Sequence, residues 1–143
     1  MDDLLSEFLT ETNESLSELD GDIVRLEQNP NDQELLSNVF RLVHTIKGTC
    51  GFLGLPRLES VAHAGENVLG RVRDGELVVT SAVVTSVLAC LDRVREILDA
   101  LEQTEAEPAG DDSALIERLN SIAEGGTTDA RLPQAGPDID PTD

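Results

Sequence analysis

His44 stands three residues before Lys47, the single lysine of the chain, and Gly48 follows directly. A helix turns once in 3.6 residues, so these three positions share a face. That face would offer an imidazole, a fixed positive charge and a stretch of backbone with no side chain. Imidazole can act as a base, a metal ligand or a nucleophile. Several of these chemistries find no support elsewhere in the chain. A metal site wants three or four ligands, but the second histidine, His63, falls on a different expected helix, and Lys47 repels cations. No GxxxxGK[ST] phosphate loop and no glycine-rich turn after a strand is present, so the chain does not build its own nucleotide site. No nucleophile elbow is present, and the period of its helix points Cys50 inward. What remains is a histidine that receives a group from elsewhere. Such a nucleophile needs one ring nitrogen unprotonated and exposed, the other held as a donor by a carboxylate, and a cation to offset a phosphoryl charge near −2.

The elements that would position these groups are helices. Asp3 to Glu27 carries Leu4, Phe8, Leu16, Leu19, Ile23 and Leu26 in one apolar stripe. Asn29-Pro30-Asn31-Asp32 ends it, and Asp32 is placed to cap the next helix. Gln33 to Leu53 buries Leu36, Val39, Val43, Ile46, Cys50 and Leu53. His44 lies about 100° round from Val43, at the border of that stripe with Phe40, Lys47, Gly48 and Gly51. Glycine inside a helix loses roughly 1 kcal/mol against alanine. Gly48, Gly51 and Gly54 therefore need either very close helix packing or an approaching partner. Gly54-Leu55-Pro56 is a turn. A third helix runs to about Asp74, with Leu58, Val61, Ala62, Gly65, Val68, Leu69 and Val72 inward and Gly75 closing it. His63 and Glu66 share a face that borders this stripe. A fourth helix, capped by Thr80 or Ser81, runs to Gln103 with Val83, Val84, Val87, Leu88, Leu91, Val94, Leu98 and Leu101 inward. Residues 104–112 read as a linker. Ser113 to Glu124 reads as a short fifth helix on Leu115, Ile116, Leu119 and Ile122. The expected fold is all-α, an antiparallel up-down four-helix bundle with a fifth C-terminal helix. The domain is expected over 1–124, and 125–143 reads as a disordered tail or inter-domain linker.

Composition narrows the partners. Ten basic residues face 29 acidic ones in 143, for a net charge of −19. No basic stripe exists for nucleic acid, and an anionic membrane surface is disfavoured. With three Phe and no Trp or Tyr, the core must be aliphatic. Cys50 and Cys90 are isolated in apolar stripes and read as reduced core residues. No apolar run approaches the ~18 residues of a membrane span and no signal peptide pattern precedes Leu4, so a cytoplasmic location is the default expectation.

The run Phe40-Arg41-Leu42-Val43-His44-Thr45-Ile46-Lys47-Gly48, followed by Gly51-Phe52-Leu53-Gly54, resembles the histidine phosphotransfer (HPt) domain, in particular the P1 domain of CheA-type chemotaxis kinases. His63-Ala64-Gly65-Glu66-Asn67-Val68-Leu69 resembles the second block of that family, and Arg73-Asp74-Gly75-Glu76-Leu77 the turn after it. The resemblance covers roughly residues 3–124. It implies that His44 is phosphorylated on Nε2 by an ATP-dependent kinase catalytic domain in trans. It implies that the group then passes to an aspartate of a CheY- or CheB-like response regulator receiver. In that scheme Glu66 holds the Nδ1 proton, Lys47 and His63 belong to the surrounding polar network, and Gly48 and Phe40 lie where partners gain access. The chain would be a phosphoryl carrier without a kinase core, binding no metal or cofactor itself, with ATP and Mg confined to its partners. As an isolated domain it would be a monomer. The alternatives are a stand-alone relay protein and a non-catalytic helical interaction module. Thr49 and Cys50 depart from the glycine and alanine common after Gly48 in relatives, and imply altered packing.

Overall fold

The computed structural model describes residues 3–125. Among them five helices and no strand occur: α1 Asp3–Gln28, α2 Gln33–Leu53, α3 Pro56–Arg73, α4 Ser81–Thr104 and α5 Ser113–Ala123. Local chemistry sets most of these limits. The Asp32 carboxylate accepts the Leu35 N–H at 3.1 Å and caps α2. Gly54, at φ 71°, ends α2, with its N–H on the Gly51 carbonyl at 3.2 Å and the Leu55 N–H on the Cys50 carbonyl at 2.9 Å. These paired bonds satisfy carbonyls that a helix end leaves open, and only a residue without Cβ takes the left-handed turn freely. Gly75, at φ 79°, closes α3 in the same manner. Thr80 is the cap of α4, through Oγ1 and the Val83 N–H at 3.2 Å.

The helices pack in a closed ring. α1 lies on α2, α2 on α3, α3 on α4 and α4 back on α1, while α5 sits outside against α3 and α4. The core is aliphatic: Leu16, Leu19, Val39, Leu58, Val61, Val68 and Leu119 have no exposed surface. Each such side chain contributes about 1.5–3 kcal/mol relative to exposure. The ring seams are also polar. Arg95 of α4 reaches Asp20 of α1 at 2.5 Å, and Asn38 of α2 bridges Glu18 and Asp22 of α1 at 3.1 Å each.

Several inward assignments are corrected. Leu4 is half exposed, while Leu5 beside it in the first turn of α1 packs against the core. Leu53 and Leu88 are only partly buried. Conversely Leu9, Thr12 and Asp22 of α1 and Ile97 of α4 are buried, so both stripes are wider than their apolar period. The segment before α5 is not a free linker. α3 begins at Leu55-Pro56 with no side-chain cap of its own. Glu107 supplies one from a distance, its carboxylate accepting the N–H groups of Arg57 and Leu58 at 3.0 and 2.8 Å. An anion there also matches the helix dipole. Asp112, buried, takes both Arg57 at 2.7 and 3.0 Å and Arg93 of α4 at 2.5 Å. The segment is a strap, fixed to the start of α3 and to α4. The disorder expected over 125–143 lies, beyond Gly125, outside the described residues.

Candidate functional site

The site lies on the α2–α3 seam. Val43 and Ile46 anchor α2 in the core on one side, which turns the adjoining position outward: the His44 side chain is 60% exposed. One turn on, Lys47 leans toward α3. Glu66 meets both from α3, where its neighbours Gly65 and Val68 are packed inward. Its Oε2 takes the hydrogen bond of His44 Nδ1, and its Oε1 sits 2.8 Å from Lys47 Nζ.

Glu66 is itself buried, 7% exposed, and burial alone would raise its pKa. The hydrogen bonds and charges of Lys47 and His44 outweigh burial and hold it below the usual carboxylate range. Glu66 is therefore an anion at neutral pH and can only accept. Nδ1 must then carry the proton, and in the neutral ring the lone pair is left on Nε2. Among the described residues no hydrogen bond engages Nε2. The exposed nitrogen is thus the nucleophilic one, with the ring held from behind by the carboxylate.

Phe40, one turn before His44, stacks on the imidazole with centroids 5.9 Å apart and planes 14° from parallel. The Arg73 guanidinium lies over the Phe40 ring, 4.0 Å from its centroid. These groups, with Arg71, Asn67, Gly70, Asp74 and Glu76, line an open cleft of about 350 Å³. Lys47, Arg71 and Arg73 line this cleft, each paired with a carboxylate: Glu66, Glu76 and Asp74.

The glycines divide by role. A Cβ on Gly48 would meet nothing within 4 Å, so the surface beside His44 is open and the residue is not needed for internal packing. Gly51 is covered by the Glu59 side chain, and Gly65 lets the Cys90 sulfur of α4 approach closely. Cys50 and Cys90 are buried free thiols, each pushed up to about 12 chiefly by burial.

Of the residues singled out from sequence, His44, Lys47, Glu66 and Phe40 come together, with Gly48 beside them. His63 does not join them. It is exposed one turn before Glu66, and no hydrogen bond or ion pair among the described residues ties it to the other three. Gly70 and Arg73 were missed as a set. Their signal was present: Glu66, Gly70 and Arg73 are spaced four and three apart on one face of α3. Among the described residues no group of three or more His, Cys, Asp and Glu is arranged to hold a metal.

The chain matches the Hpt domain family over residues 3–107. It is 41% identical over 107 residues to the sensor histidine kinase CheAY of Helicobacter pylori, covering 73% of this chain and 13% of that protein. The chain therefore spans a small part of that relative. The solution structure of the histidine phosphotransfer domain of CheA superposes with TM-score 0.78 at 29% identity, covering 85% of this chain and 92% of that one. The phosphorylated P1 domain of CheA3, solved in complex with CheY6 from R. sphaeroides, gives TM-score 0.79 at 27% identity, covering 89% and 100%.

Proposed function

The chain belongs to the Hpt domain family, and from that premise we propose that His44 is a phosphoryl carrier in chemotaxis-type two-component signalling. The observation that carries this reading is the Glu66 carboxylate, bound to both His44 Nδ1 and Lys47 Nζ, behind an imidazole whose Nε2 is unengaged. In the step proposed, the Nε2 lone pair forms the N–P bond. The bond from phosphorus to the bridging oxygen of ATP breaks, and its electrons leave with ADP. Positive charge develops on the ring, and Glu66 stabilises it while the proton stays on Nδ1. Lys47 offsets charge on the transferred group. In the second step an aspartate oxygen of a receiver attacks the same phosphorus and the N–P electrons return to the ring.

The donor is a CheA-type kinase catalytic domain, which holds ATP and Mg, and the acceptor is a CheY- or CheB-like receiver. The CheY6 complex of the similar P1 domain supports the choice of acceptor. No helix among the described residues is long and apolar enough to cross a membrane, and a cytoplasmic location fits the proposed partners. The test is to incubate the chain with ATP and a CheA-type kinase core, seek acid-labile, base-stable label on His44, then add receivers. Label that appears on His44, moves to a receiver and is absent from His44→Gln is the expected result. A folded chain that takes no label from several cores would leave only a helical interaction module.

A further inference from the structure

The geometry points to Arg73 as a positioning residue for His44, acting through Phe40. The inference rests on His44 being the phosphoryl acceptor. The Glu66 bond fixes one atom of the imidazole, Nδ1, and leaves the ring free to rock about it. The Nε2 lone pair lies in the ring plane, so the plane decides the line along which phosphorus is attacked. Phe40, at 14° to that plane, is the surface that sets it.

Phe40 is in turn only partly buried against the core. Its ring stacks on His44 and lies under the Arg73 guanidinium. Its edge rests on bare Gly70, where a Cβ would come within 3.3 Å of Cε1. Arg73 is steadied by Asp74, its Nε donating to Oδ1 at 3.1 Å. A solvated pair between adjacent residues has no need to lie over a ring. Here the pair lies over one, and a glycine makes room at that ring's edge. Two features of α3 thus converge on the seat of Phe40. The α3 face reads Glu66, Gly70, Arg73 against Phe40, His44, Lys47 of α2: one residue holds Nδ1, one admits the phenyl and one clamps it.

A cation over an aromatic face at an exposed site biases the arrangement by about 2- to 5-fold, and a nucleophile displaced by ~1 Å can lose up to ~10²-fold in rate. Arg73→Ala is therefore expected to slow phosphorylation of His44 by about 2- to 5-fold. The donor must be small, so that docking plays no part. Phosphoramidate, whose P–N bond breaks to release ammonia, is the probe. The full chain, Arg73→Ala and Arg73→Lys are labelled side by side. The His44 ring protons are followed by NMR, because loss of a stacked phenyl moves them downfield, and melting is recorded. Support is a slower Arg73→Ala at unchanged melting temperature, with the His44 signals moved and with Arg73→Lys recovering most of the rate. Equal rates for wild type and Arg73→Ala overturn the inference. So does a defect seen only with the kinase core, which would make Arg73 a partner contact, or one that tracks lost stability. Wild type that takes no label on His44 from either phosphoramidate or the kinase core with ATP overturns the acceptor reading itself, a result distinct from the others.

Discussion

Replacing Glu66 tests the chemistry most directly. In the resting site the imidazole donates from Nδ1 to a carboxylate. As Nε2 attacks, the ring becomes cationic and the same bond joins two charged groups. A hydrogen bond to a charged partner contributes about 1.5–3 kcal/mol, and each 1.36 kcal/mol is tenfold in rate. Glu66→Ala should therefore slow phosphorylation of His44 by roughly 10- to 150-fold. Glu66→Gln keeps an acceptor oxygen but not the charge, and its one carbonyl cannot serve both His44 and Lys47, so an intermediate loss of about 3- to 10-fold is expected. Stability should change little. The Lys47 side chain is 25% exposed and can hydrate when its partner goes, while the cost of burying a carboxylate is relieved. A shift of less than about 5 °C in melting is expected. The assay is rapid-quench labelling at saturating kinase core, repeated with phosphoramidate and set beside thermal denaturation. An Ala variant within twofold of wild type would refute the proton-holding role, and a loss that follows the melting temperature would reduce Glu66 to a structural residue.

Other predictions concern the surroundings. Gly48→Leu should fold normally, because its Cβ would meet nothing within 4 Å. Receiver and kinase reactions should fall more than tenfold while phosphoramidate labelling persists, and unchanged transfer would remove Gly48 from the partner surface. Asp112 is held below the usual carboxylate range first by Arg57, against burial, and also by Arg93. A depressed folded pKa contributes stability above the ordinary value near 3.9 that is lost as pH falls through the depressed one. Asp112→Asn should thus cost about 1–3 kcal/mol at neutral pH, the gap from wild type narrowing from about pH 5 toward pH 2. Denaturant titration across that range is the check, and a gap independent of pH would show that ionisation of Asp112 does not secure the strap. With both thiols pushed to about 12, Cys50 and Cys90 should resist alkylation at pH 8 in the folded chain and react once it unfolds. Fast labelling of the native protein would contradict their burial.

The helices were legible in the amino-acid string because their signals are local. Apolar residues at helical spacing, Asp32 and Thr80 as caps and Gly54 and Gly75 at positive φ each act within a few residues. His44 and Lys47 were legible as a pair for the same reason: one turn of one helix puts them on one face. The partnership with Glu66 was expected through the resemblance, but its geometry belongs to the packing of α3 on α2. That packing also decided what spacing along one chain cannot express. His63 and Glu66 share a face of α3, yet only Glu66 points into the seam. Gly70 and Arg73 gain meaning only once Phe40 meets them and His44 together. Residues 104–112 have linker composition because they are polar, and become a strap because Glu107 and Asp112 meet the start of α3 some fifty residues back. Caps and stripes are short-range and survive in the string of letters. Charge pairs and stacks between helices arise only when the bundle closes, and tertiary structure alone places them.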